Sequence, residues 1–144
     1  MERKNVTVYT DGSCLGNKTG SPGGWCAILK AGNKEKIISG REKETTNNRM
    51  ELTAVVKAVA ALKCPCNVTI ATDSAYVMMT NDKWKTWQSK KHIPNWDLWL
   101  ELIEAGKKGH HKISYVKVEA HTGNEHNERC DFIAKAEAIQ ARGE

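Results

Sequence analysis

The stretch LTAVVKAVAALKCPCNVTIATDS, Leu52 to Ser74, changes its period part-way along. Leu52, Val55, Val56, Val59 and Leu62 recur every three or four residues, the stripe of an amphipathic helix. Pro65 cannot continue that helix. Beyond it, Val68-Thr69-Ile70-Ala71-Thr72 is rich in β-branched residues and stops at Asp73-Ser74, as a strand would. A helix leading directly into a strand is a building unit of an α/β sheet.

The flanks complete the pattern. Upstream, Val6-Thr7-Val8-Tyr9-Thr10 reads as a strand ending at the turn signal Asp11-Gly12. Gly16 to Gly24, with four glycines and one proline, reads as a loop. Trp25 to Lys30 and Glu35 to Glu42 read as strands joined at Gly32-Asn33, so the first three strands form an antiparallel meander. Downstream, short helices are predicted from Ser74 to about Met79, around Trp84, and from Asn95 to about Ala105. A strand follows over Ile113 to Glu119, and Phe132, Ile133, Ala136 and Ile139 mark a last helix. The alternation in the second half implies parallel pairing. The expected architecture is α/β: a five-stranded mixed sheet, three antiparallel strands then parallel additions, flanked by helices. No repeat or linker divides the chain, so residues 1–144 are expected to form a single domain.

Composition narrows the class. Hydrophobic residues are 40% and charged residues 27%, as in globular domains. No apolar run reaches the roughly 18–20 residues of a membrane span, and Met1 to Lys4 lead into a strand rather than a signal peptide. The formal charge of +5 suits a polyanionic partner without naming one. Five cysteines, an odd number, point to free thiols in a reducing compartment, hence the cytoplasm. Cys64-Pro65-Cys66 has no second pair nearby and is not read as a zinc clip.

Two strands end alike, as Tyr9-Thr10-Asp11-Gly12 and Ala71-Thr72-Asp73-Ser74. Sites in α/β sheets form at the carboxyl ends of strands, so Asp11 and Asp73 are candidates to meet. Glu51 and Asp131 stand near the starts of the first and last helices. Each acid alone has a local explanation: a turn for Asp11, a helix cap for Asp73, favourable helix-end charges for Glu51 and Asp131. If the four converge, their repulsion demands a cation. An all-oxygen donor set suits Mg²⁺ or Mn²⁺ rather than zinc. Two such ions would serve phosphodiester hydrolysis.

Tyr9-Thr10-Asp11-Gly12-Ser13, Asn47-Asn48-Arg49-Met50-Glu51-Leu52, Thr72-Asp73-Ser74, and His121-Thr122-Gly123 followed by Asn127-Glu128-Arg129-Cys130-Asp131 occur in this order. Together they resemble type 1 ribonuclease H, over nearly the whole chain. The resemblance implies the ribonuclease H fold and an endonuclease that hydrolyses the RNA strand of RNA–DNA hybrids. It implies a two-metal-ion mechanism leaving 5′-phosphate and 3′-hydroxyl ends. Asp11, Glu51, Asp73 and Asp131 would hold two Mg²⁺ ions, with Mn²⁺ as a substitute. The match at His121 implies help with proton transfer or product release, a task suited to a group that titrates near neutrality. Ser13, Cys14, Asn17, Asn47 and Asn48 match positions that line the minor groove, where the RNA 2′-hydroxyl is read. Thr46 and Asn95 match positions that bind a DNA phosphate, and Trp84 the aromatic that packs on a deoxyribose. No role is assigned to the other histidines; Trp87, Trp96 and Trp99 read as core or semi-buried.

Lys83, Lys85, Lys90 and Lys91 interleave with Trp84 and Trp87, a pattern suited to tracking a nucleic-acid backbone or to a solvated helix. From Tyr76 to Asp97 the chain is shorter than family members with a full basic protrusion. Ala75 replaces a polar substrate contact of some relatives, and the loop with Lys18-Thr19-Gly20-Ser21 is longer. No separate hybrid-binding module is expected ahead of Val6, and Met1 argues against origin in a polyprotein. Two other classes stay in view: a non-cleaving nucleic-acid-binding domain, and another nuclease of the same fold. A monomer is expected.

Overall fold

The computed structural model describes residues 3–16, 20–82, 93–119 and 124–143. Its strands are β1 (Lys4–Cys14), β2 (Ser21–Ala31), β3 (Lys34–Thr45), β4 (Cys66–Thr72) and β5 (Lys112–Lys117). Its helices are α1 (Asn47–Ala60), α2 (Ala75–Asp82), α3 (Trp96–Lys108) and α4 (Glu125–Arg142). The helix expected around Trp84 lies outside the described residues.

The five strands form one sheet in the order β3-β2-β1-β4-β5. β1 pairs antiparallel with β2, and β2 with β3. β4 joins β1 in parallel, and β5 joins β4 in parallel. This is the expected mixed sheet. α1 and α3 cover one face, over a core that includes Val8, Leu52, Val55, Ile70, Trp99 and Leu102. α4 covers the other face, where Cys130 and Ala134 meet Cys26 and Ile28. Each layer buries the apolar face that its sequence period sets out.

Several boundaries differ from the reading of the sequence. β1 does not end at Asp11-Gly12 but runs on to Cys14, because β2 offers partners for those residues: Asp11 pairs with Cys26, Gly12 with Trp25 and Ser13 with Gly24. The glycine-rich loop is correspondingly shorter, and Ser21 to Gly24 belong to β2. Gly24 has a packing reason to be glycine, since a Cβ there would stand 2.5 Å from Glu137 Cβ of α4. Glycine therefore marks a close crossing of strand and helix rather than a turn. α1 begins earlier than its apolar stripe, at Asn47, because Thr46 Oγ1 accepts from Arg49 N at 3.2 Å and caps it. β5 ends at Lys117, although Val118 N still donates to Thr72 O at 2.8 Å.

Candidate active site

Register brings the first two acids level. Tyr9 opposite Ala71 is the last parallel pair of β1 and β4, and two residues further along each chain stand Asp11 and Asp73. β4 ends at Thr72 while β1 runs on beside β2, so both acids stand where the parallel pairing of β1 and β4 stops. Asp11 is 4% exposed, and Gly12 N donates to its Oδ1 at 2.9 Å. Asp73 is not the cap of α2. Ser74 takes that role, its Oγ accepting from Val77 N at 3.2 Å, while Ser74 N donates to Thr72 Oγ1 at 3.0 Å.

Glu51 arrives from the helix layer. It lies past the first turn of α1, which contains no acid, so helix-end charge does not account for it. A Cβ on Gly12 would lie 2.6 Å from the carbonyl carbon of Met50 and collide with Glu51 N. With no Cβ at residue 12, the α1 backbone rests directly on β1 and carries Glu51 to Asp11. One carboxylate oxygen each from Asp11, Glu51 and Asp73 lie within 4.8 Å of one another.

Asp131 lies in the second turn of α4, beyond a cap in which Asn124 Oδ1 accepts from Asn127 N at 2.9 Å. The residue before it seats the helix. Cys130 Sγ donates to Tyr9 O at 3.2 Å and to Cys26 O at 3.3 Å, so α4 is tied to both β1 and β2. Hydrogen bonding with Cys26, then burial, pushes the Cys130 thiol pKa up, and it stays protonated. Asp131 acts on the Asp11 carboxyl both as a hydrogen-bond partner and as a like charge. Its own carboxylate meets Lys135 Nζ one turn on, at 3.1 Å.

The electrostatics of the cluster are adverse without a cation. Burial, then Asp73 and Asp131, push the Asp11 carboxyl from its ordinary 3.8 up to about 7. Burial, then Asp11 and Asp73, hold Glu51 well above the usual carboxylate range. Glu51 Oε2 is sealed from solvent and has no hydrogen-bond partner among the described residues. An orphaned buried oxygen beside two further carboxylates is the environment a hard divalent cation relieves, and oxygen-only donors suit that ion class. The residues present fit a metal site.

The remaining predicted residues divide into three groups. Ser13 and Cys14 continue β1 beyond Asp11 and are half-buried, with Cys14 Sγ 3.6 Å from Ser21 O and 3.7 Å from Thr45 O. Asn47 and Asn48 are exposed on the first turn of α1, beside its cap Thr46. Asn95 lies across from that turn, its Oδ1 accepting from Arg49 Nη1 at 3.0 Å. Asn17, Trp84, His121 and the basic stretch from Lys83 to His92 lie outside the described residues. Trp99 is buried and Trp96 half-buried, as expected. Sequence reasoning did not assign roles to Gly12, Ser74, Arg49, Tyr76 or Lys135. Gly12 carried the signal of a turn, and Ser74 that of a strand end and a helix start.

The sequence pattern of the RNase H family matches residues 3–139. This chain belongs to the ribonuclease H family. It is 46% identical to ribonuclease H of Novosphingobium aromaticivorans, covering 96% of this chain and 99% of that one. It is 47% identical to ribonuclease H of Acetivibrio thermocellus, covering 93% and 95%. Among solved structures, it is similar to LC9-RNase H1, a type 1 RNase H with the type 2 active-site motif. The TM-score is 0.84 at 26% identity, covering 98% of this chain and 75% of that one. LC11-RNase H1, solved in complex with an RNA/DNA hybrid, shares the fold with a TM-score of 0.75 at 18% identity, covering 94% and 98%. The protein is a ribonuclease H enzyme, and it carries a cluster of three carboxylates, Asp11, Glu51 and Asp73.

Proposed function

We propose that this ribonuclease H hydrolyses the RNA strand of RNA–DNA hybrids, leaving 5′-phosphate and 3′-hydroxyl ends. The observation that carries the reading is the convergence of Asp11, Glu51 and Asp73, with one Glu51 oxygen buried and unpartnered among the described residues. Asp131 completes the set from α4. Together they would hold two Mg²⁺ ions, with Mn²⁺ as a substitute. When bound, such ions activate the attacking water and neutralise charge on the leaving oxygen.

The chain's own residues orient and sort the substrate. Ser13, Cys14, Asn17, Asn47 and Asn48 present small polar groups to the RNA minor groove, where the 2′-hydroxyl distinguishes RNA from DNA. Thr46 and Asn95 grip a phosphate of the DNA strand, and Trp84 packs on a deoxyribose. His121 moves a proton or assists product release. Hybrid bound to LC11-RNase H1, a protein of the same fold, supports the substrate class. The presence of all four acids favours cleavage over mere binding. The catalytic unit is the whole chain, acting as a monomer in the cytoplasm, a compartment in keeping with its five free thiols.

The test is incubation of labelled hybrid with and without Mg²⁺, beside double-stranded DNA and junction substrates. Cleavage confined to the RNA strand of hybrid, dependent on Mg²⁺, is expected. Asp11→Asn should lower the rate by about a hundredfold or more, since metal stabilisation of the transition state is worth several kcal/mol. Metal-independent cleavage, or full activity in Asp11→Asn, would overturn the reading.

A further inference from the structure

Asn95 is an odd helix cap. Its backbone is left-handed, at φ 61°, which asparagine tolerates but does not prefer. It occupies the N-cap of α3, yet its side chain makes no cap hydrogen bond. An N-cap asparagine ordinarily satisfies the N–H groups of its own helix. Here the carboxamide turns outward and is gripped from two other elements. Arg49 Nη1 of α1 donates to Oδ1 at 3.0 Å, and Nδ2 donates to the Tyr76 hydroxyl of α2 at 3.0 Å.

The hydrogen-bond inventory leaves a single orientation for that amide. Tyr76 donates its one hydrogen to Pro94 O at 3.0 Å, and accepts from Trp99 Nε1 at 3.0 Å. Toward Asn95 it can therefore only accept, which directs the amide nitrogen to it. Arg49 can only donate, which directs the amide oxygen the other way. Arg49 is itself held by Asp97, at 3.0 Å from Nη1 and 2.9 Å from Nη2. The Tyr76 ring lies against buried Trp99, centroids 5.4 Å apart, so the hydroxyl is anchored from the core. The bond to Tyr76 uses one of the two hydrogens on Nδ2. A strained backbone, with a polar side chain withheld from local use, points to a role for that group.

We infer that Tyr76, assisted by Arg49, is a positioning residue for substrate. It holds the Asn95 carboxamide, whose oxygen accepts from Arg49 of α1, so that the second Nδ2 hydrogen meets a phosphate of the DNA strand. The inference rests on the reading of Thr46 and Asn95 as phosphate contacts, and it supplies what aims one of them.

A cycle of Tyr76→Phe, Asn95→Ala and the double variant tests it, with KM, kcat and salt dependence measured on hybrid. Tyr76→Phe keeps the ring against Trp99 and removes only the hydroxyl. It should raise KM about fivefold, the effect of one hydrogen bond, and leave kcat nearly unchanged. Asn95→Ala should raise KM at least as much and leave the salt dependence nearly unchanged, because a neutral carboxamide releases no counterion from the phosphate. In the double variant, Tyr76→Phe should add nothing. An unchanged KM in Tyr76→Phe beside a raised one in Asn95→Ala overturns the positioning role alone, as does an effect that persists in the double variant. An unchanged KM in Asn95→Ala overturns the phosphate reading, and the inference with it. A purely structural role would lower the melting temperature without separating KM from kcat. If Tyr76→Phe does not fold, Arg49→Met carries the same cycle through the amide oxygen.

Discussion

Asp11 shows how a side chain's meaning changes once its neighbours are known. In isolation, Asp followed by Gly is a turn signal. In the sheet it is a buried carboxyl facing Glu51 and Asp73, with its pKa raised to about 7. The folded state holds this proton at pH values where the unfolded chain, near 3.8, has released it, so metal-free protein loses stability as pH rises from about 4 through 7. Its melting temperature should be lower at pH 8 than at pH 5, and Asp11→Asn should narrow that gap in calorimetry. A wider gap in Asp11→Asn would contradict this electrostatic account. Gly12 makes the complementary steric case. In Gly12→Ala the new Cβ meets the backbone of Met50 and Glu51, which cannot swing aside as a side chain can. Overpacking of that kind costs about 1–3 kcal/mol. Denaturant unfolding should show the loss, together with a fall in kcat as Glu51 is displaced.

At the scale of the element, capping decides which acids are available. Asp73 could have capped α2, and Glu51 could have favoured the start of α1. Ser74 and Thr46 take the capping tasks, which leaves both carboxylates for the site. Ser74→Ala should therefore cost about 1 kcal/mol of stability. Ser74→Thr should recover most of it, because the hydroxyl is what caps. Thermal unfolding of the two variants checks this, and equal losses in both would refute the cap. The stripe from Leu52 to Leu62 was legible because a helix with one buried face must repeat its apolar residues. The cap six residues earlier, Thr46, makes no such pattern. Ser21 to Gly24 misled for a related reason: glycine favours loops locally, but here it admits α4 against β2, a contact between residues more than a hundred positions apart.

At the scale of the molecule, the site is a product of assembly, drawing on β1, α1, β4 and α4. A cation that binds only when these meet must stabilise the fold by mass action. Titrating Mg²⁺ into metal-free protein at pH 8 should raise the melting temperature by several degrees and saturate. In Asp11→Asn the shift should shrink markedly; an equal shift would place the ion elsewhere. Hybrid binding should weaken as salt rises, since a chain of formal charge +5 meets a polyanion. The α/β class, the antiparallel meander and the order of the four acids could be read from the chain, because hydrophobic period and motif order are properties of sequence. The continuation of β1 through Asp11, the raised pKa, and the aiming of Asn95 by Tyr76 and Arg49 could not. Each depends on groups distant in the chain becoming neighbours, and only strand register and helix packing determine which groups those are.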